Sequence, residues 1–166
     1  MKILVPVDAS TVALAPIAHL QALARSGVEM EVLLLNVQPR FHRHVAQFTS
    51  RGARDLLRQE RSQLAMARAI EALSHTRLRW RAFAEVGRPA ERIAAVAERE
   101  LIDEIMMGVG RHPGWLRWLN PSIAQGVMAR TDIPVSVLAR GRAGLFERYG
   151  VPAGVAGLAA LLLTVE

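Results

Sequence analysis

The chain of 166 residues contains no cysteine, which excludes disulfides, zinc–thiolate sites and a thiol nucleophile. Lysine is almost absent: Lys2 is the only one, and the other basic residues are arginines. No lysine is therefore placed to meet a γ-phosphate as in a P-loop. There is no Gly-x-Ser-x-Gly elbow and no spaced set of metal ligands. His42 and His44 stand two apart without a third ligand, so no metal site is expected. These absences leave no catalytic residue to name, and a non-enzymatic protein is expected.

Long uncharged runs are scarce too. The opening apolar stretch is interrupted by Pro6 and Asp8, too early for a signal peptide, and a cytoplasmic protein is expected. Residues 151–165 carry no charge, but as a helix they would span only about 22 Å, short of the ~30 Å hydrocarbon core. Pro152, Gly154 and Gly157 weaken that helix further. The segment 141–166 is read as an apolar tail that docks on the body or on a partner chain. Membrane contact, with Arg140, Arg142 and Arg148 at its neck, is the lesser alternative. The net charge is +6, but the arginines are scattered with acids between them, so no nucleic-acid partner is expected.

What is present is an alternation of short apolar runs and amphipathic stretches. Residues 3–7 read as a strand buried on both faces. Ser10 or Thr11 can cap a helix whose Ala13, Ile17, Leu20 and Ala24 form one stripe, with Gly27 as its stop. Residues 28–37 read as a second strand. A long helix over 52–73 is expected to turn Ala53, Leu56, Leu57, Leu64 and Ala67 inward. Residues 76–86 alternate like a strand near a sheet edge. Pro89 opens a third helix with Ala90, Ile93 and Ala97 inward, and 101–107 is a fourth strand. Asn120, Pro121 and Ser122 start a fourth helix with Ile123 and Val127 buried, ending at Thr131 and Asp132. Residues 134–139 close the domain as a fifth strand. The order β-α-β-α-β-α-β-α-β winds into an open parallel sheet with helices on both faces.

In such a sheet, ligands bind beyond the carboxyl ends of the strands. Asp8 at the end of the first strand can accept from a ribose hydroxyl or a base amino group; its other reading is a cap for the next helix. Asn36 and Val37 offer backbone atoms and an apolar wall. Met107 leads into Gly108, where a missing side chain admits a ligand close to the backbone.

The chain resembles a universal stress protein over residues 1 to about 140. The stretches that carry the resemblance are Lys2-Ile3-Leu4-Val5-Pro6-Val7-Asp8-Ala9-Ser10, Leu33-Leu34-Leu35-Asn36-Val37, Val86-Gly87-Arg88-Pro89-Ala90-Glu91-Arg92-Ile93, Asp103-Glu104-Ile105-Met106-Met107-Gly108 and Ile133-Pro134-Val135-Ser136-Val137-Leu138. The resemblance implies a five-stranded Rossmann-like sheet in the order 3-2-1-4-5. It implies a homodimer, paired through the fifth strand (134–139). It also implies a stress-response regulator that holds ATP or another adenine nucleotide, with Pro6, Asp8, Val37, Met107, Gly108, Arg111, Ser122 and Ile123 as the binding set.

The family's phosphate loop follows Gly-x2-Gly-x9-Gly-Ser/Thr. Here Gly108 and Ser122 are kept, but Arg111 and Pro121 stand where the second and third glycines belong. Proline has no N–H to donate, and arginine takes positive φ less cheaply than glycine. Asn120-Pro121 also reads as an ordinary helix cap and first-turn pair. Arg111 can instead grip a small anion through its guanidinium. Trp115 and Trp118 can stack on a base or pack as a lid. Two readings stay open: a nucleotide-holding regulator with a degenerate loop, or a dimeric interaction module that has lost its ligand.

Overall fold

Five apolar runs pair side by side because each must cover two faces and two edges. The computed structural model describes residues 1–40, 50–109 and 120–139. They form β1 (Lys2–Pro6), a 3₁₀ turn (Thr11–Ala13), α1 (Leu14–Arg25), β2 (Glu31–Gln38), α2 (Arg51–Ser74), β3 (Arg79–Val86), α3 (Pro89–Arg99), β4 (Glu104–Val109), α4 (Asn120–Met128) and β5 (Val135–Ala139). Every pairing is parallel, and the sheet order is β3-β2-β1-β4-β5, as the resemblance implies.

The chain winds outward from β1 through β2 to β3, then returns across β1 and winds the other way through β4 to β5. Right-handed crossovers in opposite directions place helices on opposite faces. Strand alternation divides the core accordingly. Ile3, Val5, Val32 and Leu34 pack under α1 and α2 with Ile17, Leu20, Ala69 and Leu73. Leu4, Leu33, Leu35 and Ile105 pack under α3 and α4 with Ile93, Val96 and Val127. Leu78 just before β3 and Trp80 and Ala82 within it join the first layer, and Phe83 joins the second. Ala84 is exposed.

Element starts depart from expectation in one consistent way. Strands β2, β3 and β4 begin at Glu31, Arg79 and Glu104, three residues later than the pattern suggests. The displaced residues close the preceding helix. Val28 N–H donates to the Leu23 carbonyl at 3.2 Å, Thr76 N–H to that of Leu73 at 2.9 Å, and Ile102 N–H to that of Ala97 at 2.9 Å. Helix C-termini leave carbonyls unbonded, and the next residues satisfy them before the chain can extend. Gly27 turns the first of these corners at φ +88°. Helix α4 stops at Met128, short of Thr131, for the same reason: Ala129 and Arg130 N–H groups return to Gln125 and Val127.

The long helix α2 is the larger correction. Its buried residues are Ser62, Ala65, Met66, Ala69 and Leu73. The expected inward set faces solvent: Leu56 is 59% exposed and Leu64 74%, and Ala53 and Ala67 are exposed as well. At 3.6 residues per turn the two sets lie on opposite sides of the helix. Leu64, Ala65, Arg68 and Ala69 flank Val7, Asp8 and Ser10, level with the end of β1. The first eleven residues therefore run about 16 Å past the sheet, where there is no core to bury them.

Edge strand β3 is guarded by charge. Arg81 bridges Glu31 at 3.0 Å and Glu100 at 3.4 Å, and Arg99 bridges Glu100 and Glu85, each at 3.2 Å. Charged side chains along an edge discourage pairing with other strands.

The 3₁₀ turn presses against β4 at Gly108. A Cβ there would lie 2.0 Å from the Val12 carbonyl oxygen and 2.7 Å from its carbon. Gly108→Ala is thus expected to destabilise the fold by at least ~1–3 kcal/mol. Gly52→Ala, in the first turn of α2 with nothing within 4 Å of its Cβ, is expected to be stabilising by roughly 0.5–1 kcal/mol. Urea denaturation of the two variants should give midpoint shifts of opposite sign. In α2, Leu73→Ala should cost about 2–5 kcal/mol and Leu64→Gln no more than about 0.5 kcal/mol. Equal losses on urea unfolding would contradict the burial described here.

Candidate functional site

The reversal of winding opens a crevice beyond the carboxyl ends of β1 and β4, the place where open α/β sheets hold ligands. A cavity of about 220 Å³ occupies it. Its floor is the strand ends: Pro6, Val7 and Asp8 from β1, Leu35 and Val37 from β2, and Met107 and Gly108 from β4. Its side is Pro89 and Ile93 of α3 and Ile123 of α4, with Ala13 closing one corner. The volume falls below the roughly 300–1,000 Å³ usual for small-molecule sites. It suits a planar ring system better than a whole nucleotide.

Six of the eight residues proposed from the sequence line this cavity: Pro6, Asp8, Val37, Met107, Gly108 and Ile123. Ser122 lies beside Ile123 in the first turn of α4, but its side chain is outside the described set. Arg111 lies outside the described residues, as do His42, His44, Trp115, Trp118 and the tail 141–166. The apolar wall of Ala13, Leu35, Pro89 and Ile93 was not anticipated. A signal was available for part of it, because α3 starts at the carboxyl edge, so Pro89 in its first turn and Ile93 one turn on must border that edge.

Gly108 lines the crevice and also meets the chain's own backbone. The close approach it permits is that of the chain's own Val12 and Ala13 backbone. Of the two readings of Asp8, the structure shows the local one. Its Oδ1 accepts from Ser10 N–H at 2.9 Å and from the Ser10 hydroxyl, which shapes the turn after β1. Its Oδ2 makes no hydrogen bond among the described residues, and the side chain is exposed. The turn also replaces the expected Ser10 or Thr11 cap: α1 follows directly from the 3₁₀ turn, with Ala13 at its N-cap and no side-chain bond there.

One polar residue at the crevice was overlooked as a structural group. Asn36 is only 3% exposed. Its Nδ2 donates to the Val7 carbonyl at 2.8 Å, and its Oδ1 accepts from Gln38 Nε2 at 2.6 Å. A buried amide is tolerated when its groups are bonded in this way.

Two other cavities are less suited to the chemistry. A larger one, about 660 Å³, lies at the opposite, amino edge of the sheet. Lys2, Glu29, Glu31 and Arg77 mix charges of both signs around it. A cavity of about 280 Å³ on the far side of the Asp8 turn lies between α1 and α2. Among the described residues no group of three His, Cys, Asp or Glu side chains could hold a metal ion. No described helix is long and apolar enough to cross a membrane.

Comparison with known proteins gives a consistent result. The model of the universal stress protein family matches residues 1–139. The solved structure of the hypothetical protein MJ0577 is 27% identical, covering 86% of this chain and 97% of that one at a TM-score of 0.64. A universal stress protein family protein from Arabidopsis thaliana, solved with AMP bound, is 19% identical, covering 94% and 98% at a TM-score of 0.62. The universal stress protein from Archaeoglobus fulgidus in complex with dAMP is 19% identical, covering 82% and 96% at a TM-score of 0.56. No curated protein matches the chain. With the family model matching residues 1–139 of its 166, this chain belongs to the universal stress protein family.

Proposed function

We propose that this protein is a non-enzymatic, homodimeric regulator that holds an adenine nucleotide in the carboxyl-edge crevice. The observation that carries the reading is the crevice itself: an apolar slot at the topological switch point, bordered by a carboxylate oxygen of Asp8 that is unbonded among the described residues and by the β1-facing backbone edge of Val37. A flat base fits between Pro6, Val37, Met107 and Ile123, and a ribose hydroxyl can donate to Asp8. Nucleotides held by structurally similar proteins, AMP, cAMP and dAMP, support the choice of base.

The phosphate end is the weaker half. Pro121 removes a backbone donor and Arg111 replaces a glycine, so the grip on phosphates passes from backbone N–H groups to a side chain. We therefore read the ligand as recognised mainly through its nucleoside. Binding would alter the surface offered to a partner, with no reaction needed.

The dimer would form through β5, whose outer edge is unpaired among the described residues. Pro134 directs its carbonyl to Ile105 of β4, so by strand alternation the backbone groups of Val135 and Val137 face outward. Val137 is 44% exposed.

The specific alternative is an interaction module without a ligand, favoured by the small cavity and the two lost glycines. Isothermal titration separates the two. Saturable binding of AMP and ATP with similar affinity is expected, and Asp8→Ala should weaken both by about tenfold or more, the loss of one charge-assisted hydrogen bond. The absence of heat at millimolar nucleotide would leave the interaction module standing. Val137→Pro removes an outward N–H without touching the β4 ladder, and is expected to yield a folded monomer by analytical ultracentrifugation. A Val137→Pro protein that remains dimeric would place the interface elsewhere.

A further inference from the structure

We propose that Asn36 holds the β1–β2 ladder open by one rung and thereby presents the Val37 N–H to a ligand. The inference rests on the nucleotide reading above and adds a positioning residue to it.

The argument begins with strand parity. Glu31 N–H donates to the Met1 carbonyl at 2.9 Å and Val7 N–H to the Leu35 carbonyl at 2.8 Å, so odd-numbered residues of β2 face β1. Gln38 faces β3 instead, its carbonyl accepting from Gly87 N–H at 3.0 Å. Val37 is thus directed at β1. The next rung of a parallel ladder would be Val37 N–H to the Val7 carbonyl. Among the described residues that bond is not formed. The Val7 carbonyl accepts from Asn36 Nδ2 at 2.8 Å. The amide orientation is settled by chemistry, since a carbonyl can only accept and so must face the NH₂ group. Gln38 Nε2, donating to Asn36 Oδ1 at 2.6 Å, anchors the other end.

A buried side chain has therefore taken the acceptor that the backbone would otherwise use. Val37 keeps an N–H and a C=O side by side on the crevice edge, an adjacent donor and acceptor. That pair complements the acceptor N1 and donor N6 of adenine. It also explains why a polar residue is retained at a site 3% exposed in an otherwise apolar strand.

The test needs no ligand at its first step. In the ligand-free full chain, amide hydrogen exchange by NMR should show Val37 exchanging fast while Leu35, inside the ladder, is protected. Asn36→Leu frees the Val7 carbonyl, the rung closes, and Val37 exchange should slow by roughly five- to tenfold, as for one added hydrogen bond. Gln38→Met removes only the anchor and should give a smaller slowing. A Val37 amide already protected in the natural chain, or unchanged in both variants, overturns the inference. Unaltered exchange at Ile3, Leu4 and Leu33 shows that the sheet is intact. At the second step, the natural chain should prefer AMP to 1-deaza-AMP, which lacks the N1 acceptor, and Asn36→Leu should lose that preference. A preference that survives also overturns the inference. If neither chain binds AMP, the nucleotide reading fails, while the ladder is still judged by exchange alone.

Discussion

Strand β1 has to be covered on both faces and bonded on both edges, and the chain achieves this by winding away from it in opposite directions. Ile3, Leu4 and Val5 are fully buried as a consequence. The same reversal separates α1 and α2 from α3 and α4, and it forces the carboxyl ends of β1 and β4 to diverge into a crevice. Core and candidate site are thus two outcomes of one topological requirement. A variant that loosened β1 would be expected to disturb both.

Around that crevice the chain spends polar and backbone groups on shaping itself before any ligand arrives. Asp8 uses one oxygen on Ser10, Asn36 occupies the Val7 carbonyl, and Gly108 makes room for Val12. What is left over for recognition is small and specific: one carboxylate oxygen, one strand edge and an apolar slot. This division underlies the proposal that the protein recognises a nucleoside more than its phosphates. It is consistent with Arg111 and Pro121 standing where a phosphate cradle would need glycine. Arginine supplies charge without fixing geometry, and proline supplies a helix start without an N–H.

Helix α2 shows how sequence pattern can be obeyed and still mislead. It carries two apolar stripes on opposite sides, one of leucines and one of smaller residues. The leucine stripe is the stronger pattern, yet the sheet receives Ala65, Ala69 and Leu73. Small residues let the helix approach the sheet closely, and Met66 and Leu73 fill the gaps. The leucines stand on the opposite side and mostly past the sheet's edge. No inspection of periodicity weighs where the sheet stops.

The strand count and the two-sided cover follow from sequence alone, because continuous apolar runs, capping residues and crossover handedness are local or nearly local constraints; the sheet order came with the resemblance to the family. The membership of Pro6, Asp8, Val37, Met107 and Gly108 in one cavity also follows from sequence alone, since strand ends in a parallel sheet share an edge; Ile123 of α4 came with the resemblance. Tertiary structure decided the rest. It set where strands begin, because helix C-termini claim the intervening residues. It chose which face of α2 is buried, because that depends on the extent of the sheet. It gave Asn36 the Val7 carbonyl and Gly108 the Val12 backbone as neighbours, because these contacts join residues 29 and 96 positions apart, a distance over which no sequence periodicity carries information.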